Sequence, residues 1–168
     1  MSPALKAALA TLLFSGVGLI TVLFYIPLTA VALPNAIFYV VLTINSYFSI
    51  KLYASIQPTD AAQRFFDSLL VVIYLALAFA IGHAAVFSSF ALLVFVVATP
   101  KYALMLGKIP YGPLLRRKIL IDLSGVTFTA AVFLGTLAGF PLESAWFLAI
   151  GFALANIYHL IIHPMYRL

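Results

Sequence analysis

The chain has 168 residues, of which 65% are hydrophobic and 8% charged, whereas soluble domains carry about 25% charged residues; a water-soluble globular fold is excluded and lipid is the expected solvent. The formal net charge is +5, but the basic residues flank long apolar runs, so the charge speaks to membrane orientation and anionic lipid rather than to nucleic acid. The absence of cysteine excludes disulfides, thiolate nucleophiles and thiolate-held zinc or iron–sulfur centres.

A membrane-crossing helix needs about 20 apolar residues, and six such segments are predicted within one polytopic transmembrane domain covering residues 1–168. The first covers about 8–32, with Pro27 as a kink near its far end. Met1 to Lys6 has a signal-peptide flavour, but no cleavage site follows, so a retained span is expected. The second covers 34–56 and starts on Pro34, a residue that loses no hydrogen bond at a helix start. After Gln57 and Pro58, Thr59 is the expected cap of the third span, 60–81.

Gly82 permits a reversal into the fourth span, 83–105, which carries Pro100 late in its run. The polar stretch from Lys101 to Lys118 reads as the longest connection. The fifth span covers 119–139, and Gly139-Phe140-Pro141 then supplies a helix stop and a helix start ahead of the sixth, 142–163. Two variants stay open: Pro27 or Pro100 dividing a span into a broken helix, and a shorter, partly re-entrant fourth span.

The tight turns at 33–35, 82–83 and 140–143 contain no Lys or Arg. Lys6, Lys51, Arg64, Lys101, Lys108, Arg116, Arg117, Lys118 and Arg167 all fall at the other face. Basic residues near span ends mark the cytoplasmic side. The expected architecture is therefore an all-α integral membrane protein of six transmembrane helices arranged as three helical hairpins. Both termini are cytoplasmic, and the host is a bacterial inner membrane or an equivalent one. Tyr53, Tyr102, Tyr111 and Tyr166 on the basic face, and Trp146 on the other, are expected as interfacial anchors.

Ionisable groups within a span cost about 2.5 to 3.5 kcal/mol on insertion scales, so each raises a functional question. Asp67 and Asp122 are expected about one turn inside the cytoplasmic ends of the third and fifth helices, at matching depths, hydrated or paired with Arg64 or Lys118. They are either first-turn carboxylates favoured by the helix dipole or parts of an ion, proton or substrate site. On the sixth helix Asn156, His159 and His163 are spaced i, i+3 and i+7, a polar stripe expected to face the bundle interior. Asn45, mid-span, needs an interhelical partner or a water. Asn45, Asp67, Asp122, Asn156 and His159 together form the candidate vestibule or ion site. Lys51 can snorkel to the interface, and His83 and Glu143 read as solvated turn residues.

Carboxylate and imidazole ligands suit zinc or another divalent ion, but Asp67, Asp122, His159 and His163 follow no known short spacing, and metal binding stays open. No cofactor is expected: His159 and His163 share a helix, and His83 lies at the opposite face, a poor arrangement for haem. There is no G-x-S-x-G, H-E-x-x-H or glycine-rich phosphate loop, so no catalytic residue is assigned.

Lys101, Lys108, Arg116, Arg117 and Lys118 form a basic cytoplasmic loop. Each is worth about 1 kcal/mol of attraction to anionic lipid near the surface, and a soluble partner docking there is the alternative. Gly135 with Gly139, and Gly151 with Ala155, offer small-residue faces for close helix contact within the chain, in a homo-oligomer or in a larger membrane complex.

Three functional expectations follow. The first is a small channel or transporter for an ion, proton or small solute with a cytoplasm-facing polar vestibule. The second is a non-catalytic integral subunit of a larger membrane complex. The third is a lipid-modifying membrane enzyme with an Asp/His site at the inner interface.

Overall fold

The computed structural model describes residues 2–25, 28–56, 60–106 and 108–166. It is all-helical, with six helices long and apolar enough to cross a membrane. They are α1 (Pro3–Tyr25), α2 (Ala32–Ile56), α3 (Ala61–Phe79), α4 (Ala84–Met105), α5 (Gly112–Leu137) and α6 (Pro141–Ile157). A π-helical stretch, Tyr158–Ile162, extends α6.

Helix α1 begins five residues before the expected start, because Pro3 and the alanine-rich turn after it are good helix-opening residues. It ends at Tyr25, so the proposed kink at Pro27 lies outside the described residues. Helix α2 begins at Ala32, which puts Pro34 inside the first turn, where its missing N–H has no intrahelical acceptor to lose. Gln57, Pro58 and Thr59 also lie outside the described residues. The cap of α3 is Asp60, in extended conformation, whose carboxylate accepts from the Gln63 backbone N–H at 2.8 Å.

The largest departure from the sequence expectation is at α4 and α5. Helix α4 passes through Pro100 without breaking and ends at Met105. Proline removes one backbone donor from a helix interior, here the one that the Val96 carbonyl would accept from; the Thr99 hydroxyl beside it donates to the Phe95 carbonyl at 2.9 Å. Helix α5 starts at Gly112, with Pro113 in its first two positions, rather than at residue 119. The expected long basic loop is therefore helical over 101–105 and 112–118. Lys101 belongs to α4, and Arg116, Arg117 and Lys118 lie in the first two turns of α5. A charge run read as a connection by hydropathy remains compatible with helix, because lysine and arginine are good helix formers.

Helix α2 is the most deeply buried span, flanked by α1 and α6, and α4 lies against α5 and α3. The main apolar cluster brings together Phe14, Phe38, Tyr39, Leu77, Phe87 and Phe152 from five of the helices. A smaller cluster of Leu52, Tyr53, Tyr102, Met105 and Leu115 closes the end where α2 and α4 finish and α5 begins. Tyr53 and Tyr102 are thus core residues rather than interfacial anchors, whereas Tyr111 and Trp146 are exposed. The difference is that the two buried rings pack against each other, tilted by 48° with 4.6 Å between centroids.

Lipid tails are as apolar as leucine, so contacts between spans depend on close fit and on interhelical hydrogen bonds. Asn35 donates to the Ile81 carbonyl at 2.9 Å, tying the start of α2 to the turn before α4. Tyr39 donates to the Phe14 carbonyl at 3.1 Å, and Ser46 bonds Tyr74 at 2.5 Å. Gly125 sits against the Phe95 ring and Gly151 against the Phe128 ring.

The proposed Gly135–Gly139 face is split by this arrangement. Gly135 faces Ser144 closely enough that a Cβ would lie 2.7 Å from its hydroxyl oxygen. Gly139 lies beyond the end of α5 with φ at 96°, and a Cβ there would meet nothing. Its role is the left-handed turn that lets α6 start, a conformation glycine adopts without steric cost. Ala155, the partner proposed for Gly151, is exposed.

Candidate functional site

Between the two apolar clusters lies a cavity of about 160 Å³, bordered by residues of α1, α2, α3, α4 and α5. Its polar wall carries three lysines and two aspartates. Lys101 donates to Asp67 at 2.6 Å, linking α4 to α3, and Lys6 of α1 stands 3.7 Å from the same carboxylate. Lys118 donates to Oδ1 of Asp122 one helical turn further along α5. The i, i+4 spacing puts this second pair on one helix face.

The two pairs differ in burial. Asp122 is 1% exposed and the Lys118 side chain 8%, whereas the Asp67 side chain is 30% exposed. Because α5 starts at Gly112, Asp122 lies about 15 Å along its axis, while Asp67 is about 9 Å into α3, at 1.5 Å per residue. Neither carboxylate is therefore in the first turn of its helix, α5 beginning seven residues earlier than hydropathy indicated, and Asp122 is the more buried of the two. Asp67 takes its near cation from a neighbouring helix, and Arg64 is exposed.

Tyrosines enclose the charged wall. The Lys118 ammonium lies 4.8 Å from the centre of the Tyr102 ring and the Lys101 ammonium 5.4 Å from it, within range for cation–π attraction. The Tyr102 hydroxyl is bonded to Ser49 at 3.1 Å. Two buried polar atoms at the cavity have no hydrogen-bond partner among the described residues: Oδ2 of Asp122 and the hydroxyl of Tyr53.

Of the five residues expected at a vestibule, Asn45, Asp67 and Asp122 line this cavity, and Asn156 and His159 do not. Asn45 accepts from the Tyr166 hydroxyl at 2.9 Å, an interaction that ties the C-terminal segment to α2. Asn156 is buried but donates to the Phe152 carbonyl of its own helix at 2.8 Å. His159 borders a second cavity of about 270 Å³ among Phe95, Ile121, Ser124, Phe128 and Phe152.

The expected Asn156, His159, His163 stripe is broken because the helix widens after Ile157. The His163 N–H bonds the Tyr158 carbonyl five residues back, at 2.7 Å, and His163 is exposed. A π-helical turn shifts the angular register, so i+7 no longer repeats one face. Among the described residues no three metal-ligating side chains of His, Asp or Glu come together.

The sequence groups Lys101 and Lys118 in the basic loop and offers Lys118 as a partner for Asp122, but it does not bring Lys6, Lys101 or Tyr102 to the vestibule. The Lys118–Asp122 pairing expected from their spacing of four is observed, inside α5 rather than at its first turn. Outside the spans, Lys108 meets the capping Asp60 at 2.5 Å. That hydrogen bond, with the Gln63 amide second, holds the Asp60 carboxyl below its ordinary range.

Comparison with protein-family models, with curated proteins and with solved structures finds no match.

Proposed function

We propose that this chain is a small transporter or channel of three helical hairpins with both termini cytoplasmic, and that the charged cavity is the cytoplasm-facing binding site for an ion, proton or small solute. The observation that carries the reading is the pair of carboxylate–ammonium contacts walling a cavity inside an otherwise apolar bundle. Keeping four charged groups at span depth is costly, and such groups mark ion or substrate pathways and proton relays. A purely structural subunit gains little from that expense, because apolar side chains would fill the same space with no charge to desolvate.

The orientation rests on the exclusive placement of Lys and Arg at one end of the spans. At that end Arg116 and Arg117 are exposed on the first turns of α5, where they attract anionic lipid. The membrane is a bacterial inner membrane or its equivalent.

The test is reconstitution in liposomes with proton and solute flux measured beside thermal stability for the parent, Asp67→Asn and Asp122→Asn. Both variants keep the size of the side chain and remove its charge, and flux should fall while the protein still folds. Flux equal to the parent in both variants removes the vestibule, and no flux from the parent transfers the assignment to a non-catalytic subunit of a larger complex.

A further inference from the structure

We infer that the cavity binds a small organic ammonium ion carrying one compact apolar group, and that the Lys118 ammonium is its tethered stand-in, displaced when the ligand arrives. This names the solute class of the cavity and so rests on the transport reading.

The argument starts from what the cavity already holds. An ammonium, that of Lys118, sits against the Asp122 carboxylate and over the face of Tyr102. A carboxylate combined with an aromatic face is the chemistry that recognises ammonium ions. The carboxylate is only half used: Lys118 takes Oδ1, and Oδ2 is buried with no partner among the described residues. An unpartnered acceptor calls for a donor, and an ammonium has three.

An anion would meet the opposite situation. It would enter beside the Asp122 carboxylate and the electron-rich ring faces of Tyr53 and Tyr102, both repulsive to negative charge. The cations do not reverse this, since Lys101 is matched by Asp67 and Lys118 by Asp122, and Lys6 is 48% exposed at the rim.

The rest of the wall describes the remainder of the ligand. Phe14, Leu42, Leu70, Val71, Val94 and Phe95 supply an apolar surface. The volume, about 160 Å³, compares with the roughly 150 Å³ that houses a benzene ring in a protein core. An ammonium with a single ring or a short branched chain fits, and a long lipid tail does not.

Exchange has a route. Lys118 lies in the second turn of α5, beside exposed Arg117, so its four-carbon stem can carry the charge toward the interface by snorkelling. The ligand then replaces one ammonium by another at Asp122, and the buried carboxylate is never left without a cation.

Benzylammonium and benzoate, alike in size and opposite in charge, are the probes, titrated into the full chain in detergent micelles by calorimetry and thermal shift. Lys118→Ala removes the internal competitor and should bind benzylammonium at least about tenfold more tightly than the parent, since a displaced occupant lowers apparent affinity. Added benzylammonium should also raise the thermal stability of Lys118→Ala more than that of the parent. Unchanged or weaker benzylammonium binding in Lys118→Ala, or benzoate binding that this substitution abolishes, overturns the inference.

If Lys118→Ala does not survive purification, Tyr102→Phe and Tyr102→Leu in the lysine-containing chain decide instead. Phe keeps the ring and should keep benzylammonium binding, Leu should weaken it several-fold, and equal binding by the two overturns the inference. Benzylammonium binding without flux sinks the transport reading alone, and flux without benzylammonium binding sinks this inference alone.

Discussion

Two glycines separated by one residue on α1 should respond to alanine with opposite signs. Gly16 is exposed and a Cβ added there meets nothing within 4 Å. Gly18 is buried, and its Cβ would fall on the Tyr39 ring, overlapping Cε1 and approaching Cδ1 to 2.9 Å. Carbon atoms rest at about 3.5 to 4.0 Å, so the ring has to move by about an ångström. It is poorly placed to do so, being 2% exposed with its hydroxyl bonded to the Phe14 carbonyl at 3.1 Å.

Overpacking of this kind costs about 1 to 3 kcal/mol, and a lost hydrogen bond about 0.5 to 1.5 kcal/mol. Alanine returns up to about 1 kcal/mol of helix propensity at either position. Gly18→Ala should therefore destabilise by about 1 to 3 kcal/mol, whereas Gly16→Ala should gain up to about 1 kcal/mol. Reversible unfolding in mixed detergent micelles, with sodium dodecyl sulfate as denaturant, measures both. Equal stability of the two variants would refute the claim that Tyr39 fixes the approach of α1 to α2.

The glycines around the α5–α6 turn should separate by mechanism. Gly135→Leu should disturb the contact with Ser144 and cost about 1 to 3 kcal/mol through overpacking, while Gly139→Ala should cost about 1 to 2 kcal/mol through its positive φ alone; a neutral result for either in the same unfolding assay removes its assigned role. The first turn of α3 should weaken in acid: the folded Asp60 carboxyl lies below its unfolded value of about 3.9, so its contribution is complete above that value and is lost as pH falls through the folded one. Asp60→Asn keeps a capping side chain and should flatten this pH dependence, read from amide exchange at Gln63, where an unaltered profile counts against the assignment. Because the chain has no cysteine, single cysteines at the exposed positions 28 and 142 should be labelled from outside by an impermeant maleimide and those at 108 and 111 should not; the reverse pattern would invert the orientation.

Six helices long and apolar enough to cross a membrane are legible in the sequence alone, because desolvating a polar backbone in lipid is so costly that apolar run length nearly dictates helix. The turn at Gly139-Phe140-Pro141 is legible for a similar local reason, since a positive φ and a fixed φ stand side by side. The helix limits at the basic end were not legible: hydropathy marks where a helix leaves lipid, not where it stops being a helix, and so Arg116 to Lys118 read as loop.

That displacement hid the site. Asp122, readable from sequence as either a first-turn carboxylate or part of a site, is buried well inside α5, and Lys118, one of the two partners its position allows, is paired with it in the interior rather than in a loop. Pairing Lys101 with Asp67 required α3 and α4 to bring together side chains 34 positions apart, a fact that no local pattern encodes. The i, i+7 rule that grouped Asn156, His159 and His163 assumed an unbroken α-helix, and the π-helical turn at Tyr158–Ile162 cancels it. Composition and run length determined the six apolar helices, since these depend on each residue's own transfer energy. Only the tertiary structure decided which charges share a cavity, because that depends on how the helices fit around Tyr39, Tyr53 and Tyr102.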